Sequence, residues 1–82
     1  MTYGILFERI EDEDPARVRY YAHIPSLGLT THGDGIPGAR AAALDLIKLW
    51  IAEKRAAGEG IAQPGEFLLS TIDVPEDALQ SA

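Results

Sequence analysis

Ile24-Pro-Ser-Leu-Gly-Leu-Thr-Thr-His-Gly-Asp-Gly35, followed without a gap by an apolar run to Trp50, is the stretch on which the fold of this chain turns. Pro25-Ser-Leu-Gly28 reads as a turn, because proline and glycine each reset the chain direction. Leu29-Thr-Thr-His32 reads as a short strand and Gly33-Asp-Gly-Ile-Pro-Gly38 as a corner. Asp34 suits a helix N-cap, since its carboxylate can accept orphan amides of the first turn. Pro37 suits that first turn, where a missing N–H is not felt. Gly33, Asp34, Gly35 and Pro37 therefore take a structural role at this corner. From there to Ala57 the chain is dominated by Ala and Leu, both good helix formers, and Gly58 and Gly60 stop it.

Upstream, Arg17-Val-Arg-Tyr-Tyr-Ala-His-Ile24 alternates in period two. Val18, Tyr20, Ala22 and Ile24 share one face, and Arg19, Tyr21 and His23 share the other, as in a half-buried antiparallel strand. If Ile24 faces Leu29 across the turn, then Ala22 faces Thr31 and Tyr21 faces His32, and the apolar faces agree. Tyr3-Gly-Ile-Leu-Phe-Glu-Arg-Ile10 is rich in β-formers and reads as the first strand. Between them Glu11-Asp-Glu-Asp-Pro15 is an acidic, proline-ended connection that reads as a solvated loop.

On the helix, Ala39, Ala43, Leu46 and Trp50 form one stripe, Leu44, Ile47 and Ile51 form the next, and Leu49 widens the first. The apolar arc covers roughly 220°, more than a helix lying on a single sheet requires. One face is expected to cover the sheet, and the excess (Leu44, Ile47, Trp50, Ile51) to meet a second copy. Ile61-Ala-Gln-Pro-Gly65 reads as a linker and Glu66-Phe-Leu-Leu-Ser-Thr-Ile-Asp-Val74 as a last strand ended by Pro75. The expected class is α+β with order β-β-β-α-β: an antiparallel-dominated sheet with one long helix on a face. Residues 1–74 form a single domain and 75–82 a short polar, frayed tail.

The 82 residues carry a net charge of −6, and the seven cations do not cluster. Nucleic-acid readers draw most of their affinity from phosphate neutralisation, so direct nucleic-acid binding is disfavoured. A basic protein partner suits the charge. There is no cysteine to staple so small a core, which favours a homodimer or higher homo-oligomer. Arg40, Asp45 and Lys48 divide the helix and Glu8 and Arg9 interrupt the first apolar run. No membrane span or leader is expected, and the cytoplasm is the default location.

No catalytic constellation stands out, and no cofactor or metal is expected. A two-metal nuclease needs converging carboxylates; Glu8, Asp34 and Asp45 are the candidates, but Asp45 belongs to the helix's polar face. Tyr21, His23 and His32 gather on one sheet face, where a zinc site is a weaker reading than an aromatic interface. Ser26, Ser70 and Ser81 sit in no nucleophile elbow, and the corner lacks the spacing and Lys-Ser/Thr ending of a phosphate loop.

Ala22, Pro25, Gly28, Gly33, Asp34, Ala39, Trp50, Gly60, Ile61 and Pro64 together resemble the HicB antitoxin family. Its pattern is a tyrosine-rich strand ending in Pro, a short turn to Gly, Gly-Asp-Thr, an Ala-rich helix and a Gly-x-x-Ile-Pro-like linker. Here the turn is one residue shorter, Gly35 replaces the capping Thr, and Gly38 stands where an acidic residue is usual. The resemblance implies a partial ribonuclease-H-like fold, without the family's DNA-binding module. It also implies a non-enzymatic protein that dimerises and neutralises a small, basic, mRNA-cleaving HicA-type toxin. Glu11, Asp12, Glu13, Asp14, Tyr21, His23 and His32 are the expected partner contacts. A HicB-like oligomeric scaffold or regulator without a toxin is the alternative, and a metal-dependent nuclease the third reading.

Overall fold

Leu29 lies opposite Ile24, Thr31 opposite Ala22 and His32 opposite Tyr21, the register that the alternation of the two strands demands. In a computed structural model the chain forms β1 (Leu6–Arg9), β2 (Arg19–Ile24), β3 (Leu29–Asp34), α1 (Gly35–Ala56) and a short α2 (Glu76–Gln80). The structure describes residues 1–61 and 64–80. The three strands make one antiparallel sheet in the order β1-β2-β3, and α1 packs on one of its faces. The fold class is therefore α+β.

The period-two split decides which face α1 covers. Ala22 and Ile24 are fully buried beneath the helix, whereas Tyr21, next to Ala22 and out of phase with both, is 40% exposed. The helix answers with Ala39, Ala43 and Ile47, spaced four apart on one stripe. Two alanines at the contact let the helix backbone lie close to the sheet. Phe7, opposite Ala22 on β1, packs against this core with Tyr20, Leu29, Leu46 and Ile51. Ile24 is the largest side chain fully buried, so the core is small and its margin thin.

Glycine geometry sets both ends of the β3–α1 corner. A Cβ at Gly33 would lie 2.4 Å from the carbonyl carbon of Gly38 and 2.6 Å from the amide nitrogen of Ala39. Only glycine lets β3 turn directly into α1 at that separation. Asp34 occupies the N-cap position with extended backbone, but its side chain makes no capping hydrogen bond, contrary to expectation. The corner is fastened by backbone instead. Gly35, at φ +63°, donates its N–H to the Val18 carbonyl at 2.8 Å, which ties the helix start to the residue just before β2. Pro37 lies in the first turn, as expected. At the other end Gly58, at φ +72°, donates to Arg55 and Glu59 donates to Lys54, the paired bonds that close a helix on a left-handed residue.

Three expectations need correction. Tyr3 to Ile5 and Ile10 lie outside β1, and Arg17 and Val18 outside β2, while β3 runs two residues further, to Asp34. Glu66 to Val74, expected as the fourth strand, forms no strand, and every residue in it is exposed. Its composition reports how well it would fit a half-buried pleated surface, which is no guarantee that a free edge lies within reach. Glu76 to Gln80, expected to fray, is helical; Glu76 and Asp77 place negative charge at its N-terminal end. Ala62 and Gln63 of the expected linker, and Ser81 and Ala82, lie outside the described residues.

Candidate functional site

The sheet has two faces and α1 covers one. The uncovered face carries Leu6 and Glu8 from β1, Arg19, Tyr21 and His23 from β2, and Thr30, His32 and Asp34 from β3. Strand alternation alone puts them together, because each is out of phase with a buried neighbour. Tyr21 and His32 face each other across the β2–β3 ladder, and Glu8 lies opposite Tyr21 on the β1 side. All three are exposed.

A polar row crosses the sheet at one end of this face. Nε2 of His23 lies 2.9 Å from Oε1 of Glu8, and Nδ1 lies 2.9 Å from the Thr30 hydroxyl. An ionised carboxylate can only accept, so Nε2 carries the proton and donates to Glu8. The Thr30 hydroxyl can either donate to Nδ1 or accept from it, so the row survives with the imidazole neutral or charged. The Tyr21 ring tilts beside that of His23, with centroids 5.8 Å apart. A hydroxyl, an imidazole and a carboxylate in line are also the parts of a hydrolytic triad. Here all three lie on the face that α1 leaves uncovered, Glu8 and Thr30 exposed and His23 half-buried, whereas a reacting group is usually held in a concave site. The row therefore reads as a device that fixes ring orientation across three strands.

The opposite end of the face is acidic. Arg19 lies opposite Asp34 and makes a 2.9 Å ion pair with Asp12, reaching back to the β1–β2 connection. The Asp12 carboxylate also accepts the Asp14 N–H at 3.1 Å, while Asp14 accepts the Ala16 N–H at 2.9 Å. The bond from Asp14, with the nearby Arg19 guanidinium, holds the Asp12 carboxyl below its ordinary value despite partial desolvation. Of the acidic run, Asp12 and Asp14 thus shape their own loop, and Glu11 and Glu13 point their charge to solvent. The seven expected partner contacts divide accordingly: Tyr21, His23 and His32 share the open face, Asp12 is pinned to its edge, and the rest of the loop flanks it.

No family model, curated protein or solved structure matches the chain. The likeness to HicB antitoxins rests on the residues quoted for it.

The other expected contacts fall as follows. Of the helix residues expected between copies, Ile47 is in the core and Ile51 packs against it, Trp50 is half-buried, and Leu44 is 51% exposed. Leu49, on the far side, is 56% exposed. Among the nuclease candidates, Glu8 and Asp34 share the open face, while Asp45 is on the helix that covers the other face. Among the described residues no group of three or more acidic or histidine side chains is placed to hold a metal ion. No described helix is long and apolar enough to cross a membrane. Sequence reasoning missed the link from Glu8 to His23, because the nine-residue gap between Arg9 and Arg19 leaves the β1–β2 register open. The pairing of Leu6 with His23 supplies it.

Proposed function

We propose that this chain is a non-catalytic, HicB-like antitoxin module. It works as a homo-oligomer and neutralises a small basic HicA-type toxin by covering it with the open sheet face. The observation that carries the reading is that face itself, a row of rings (Tyr21, His23, His32) left uncovered by the protein's own helix. Exposed aromatics that are held in place supply most of the energy at interface centres. The carboxylates around them, in a chain of net charge −6, favour encounter with a cationic surface and disfavour a phosphate backbone. Three antiparallel strands leading into one long helix are compatible with the partial ribonuclease-H-like fold of this reading, whose last strand, expected over Glu66–Val74, does not form. A chain whose face binds in this way needs no reacting groups, and Glu8, the first nuclease candidate, is engaged by His23.

Copurification from the native host tests this, using the tagged chain beside a Tyr21→Ala/His32→Ala variant. The reading expects a small basic protein to be recovered, and the variant to lose at least about tenfold in affinity for it, since hot-spot truncations exceed about 1.4 kcal/mol. Recovery of no basic protein, or equal recovery by both, would contradict it.

A further inference from the structure

The molecule is too extended for its length. Its radius of gyration is 16.6 Å, against about 12 Å for a compact domain of this size. It exposes 6351 Å², against about 4,800 Å² for a folded monomer of its mass. The excess, about 1,500 Å², is more than the roughly 800 Å² that each partner buries in a standard interface.

Two features hold much of that surface. One is the arm from Glu66 to Val74. Phe67 touches the body, its ring lying where a Cβ on Gly4 would be, 2.6 Å away. Beyond that contact Leu68 is 82%, Leu69 68%, Ile72 87% and Val74 54% exposed. The other is an apolar groove of about 490 Å³ between the N-terminal segment and α1, walled by Tyr3, Ile5, Leu44 and Ile51. It runs along the segment that leads into β1, and among the described residues β1 pairs only with β2, which leaves its other edge open. No arm residue lines this groove. Among the described residues, the arm's apolar side chains are uncovered and none of them enters the groove.

The charges of the two are complementary. Arg40 and Lys48 sit at the groove, while the arm and the start of α2 carry Glu66, Asp73, Glu76 and Asp77 with no cation among them. We propose that two copies exchange arms: Glu66–Val74 of each lies along the other's β1 edge and the segment that leads into it, and buries its apolar side chains in that groove. Adding a strand to a free edge supplies main-chain bonds, and the groove selects the alternate side chains. The inference rests on the self-association in the proposed function and names the surface that produces it. It leaves the open sheet face free, so two copies could still each hold a partner.

The test uses sedimentation of the full chain at tens of micromolar with two variants altered only at exposed positions. Leu68→Asp/Ile72→Asp spoils the arm and leaves the groove intact; Leu44→Glu/Lys48→Glu spoils the groove and leaves the arm intact. The wild type is expected near twice the 8.9 kDa chain mass, and each variant alone near the single mass, with unchanged circular dichroism. An equimolar mixture should recover dimer, because one intact arm then meets one intact groove. A monomeric wild type, with the arm folded onto its own groove, would overturn the proposal. So would variants that stay dimeric, or a mixture that stays monomeric. Partner capture by the same variants reports on the sheet face alone, so failure of the exchange and failure of the partner reading are separable.

Discussion

Replacing Gly33 by Ala adds one methyl group and should undo much of the fold. The new Cβ would sit 2.4, 2.5 and 2.6 Å from the Gly38 carbonyl carbon, the Gly38 oxygen and the Ala39 nitrogen. Carbon atoms in contact prefer about 3.5–4.0 Å, so the first turn of α1 must retreat by roughly 1 Å. All three obstructing atoms are backbone, so no rotamer change relieves the clash. Retreat also lifts Ala39 and Ala43, both fully buried, off the sheet, and a gap of 0.5–1 Å forfeits about a quarter to a half of each contact. Overpacking in a tight core costs about 1–3 kcal/mol, and the lost contacts add to it; about 3 kcal/mol is expected. A domain of this length has a total stability of about 4–12 kcal/mol. Urea unfolding followed by circular dichroism reads the change directly, as a midpoint lower by about 1–3 M for the slopes of small domains. Gly38→Ala is the matched control. A Cβ there meets only ordinary contacts at 3.6 Å and beyond, and an alanine inside a helix should stabilise by about 0.5–1 kcal/mol. Equal effects at the two positions, or a loss below about 1 kcal/mol for Gly33→Ala, would refute the close approach as the reason for glycine.

Three further outcomes follow from the same geometry. Gly28 is at φ +65° with open space around it, so Gly28→Ala should cost about 1–2 kcal/mol from backbone strain alone, and Gly28→Asn visibly less in the same urea assay. The Asp12 carboxyl titrates below its ordinary value, so its contribution to stability is full above the unfolded carboxylate range and is lost as pH falls through the lower folded value. Arg19→Gln should raise the Asp12 pKa measured by carboxyl NMR, though not fully, since the bond from the Asp14 N–H, which also lowers it, remains. His23→Ala breaks the Glu8 and Thr30 bonds together and, being on an exposed sheet face, should cost no more than about 1 kcal/mol. Glu8→Gln, whose amide oxygen still accepts, should cost less than Glu8→Ala.

Much of the fold was legible because its signals are local. The alternation from Tyr20 to Ile24 names the buried face, though Val18, of the same phase, lies outside β2 and is exposed, and the turn at Pro25 to Gly28 leaves one register in which Ala22 and Thr31 agree. The corner at Gly33 to Gly38 was legible as a helix start, though not as the site of closest approach, since two backbones converging leave no mark except the glycines. Asp34 is the N-cap residue that its type suggests, but its carboxylate makes no capping bond; Gly35 bonding Val18 supplies the fastening. Glu66 to Val74 shows where local reasoning ends. A sequence suited to a strand is the same whether its partner edge lies in its own chain or in another. The open face was legible residue by residue, and its polar row was not, because the register of β1 depends on a connection that no sequence rule fixes.

In the proposed function the uncovered sheet face holds a basic partner. Amide hydrogen exchange on the chain alone and in complex with the captured partner tests it most directly. Slowed exchange is expected to centre on Tyr21, His23 and His32 and to reach the Glu11–Asp14 loop, with α1 little changed. Protection centred on the outer side of α1 around Leu49, with the sheet face unchanged, would contradict it.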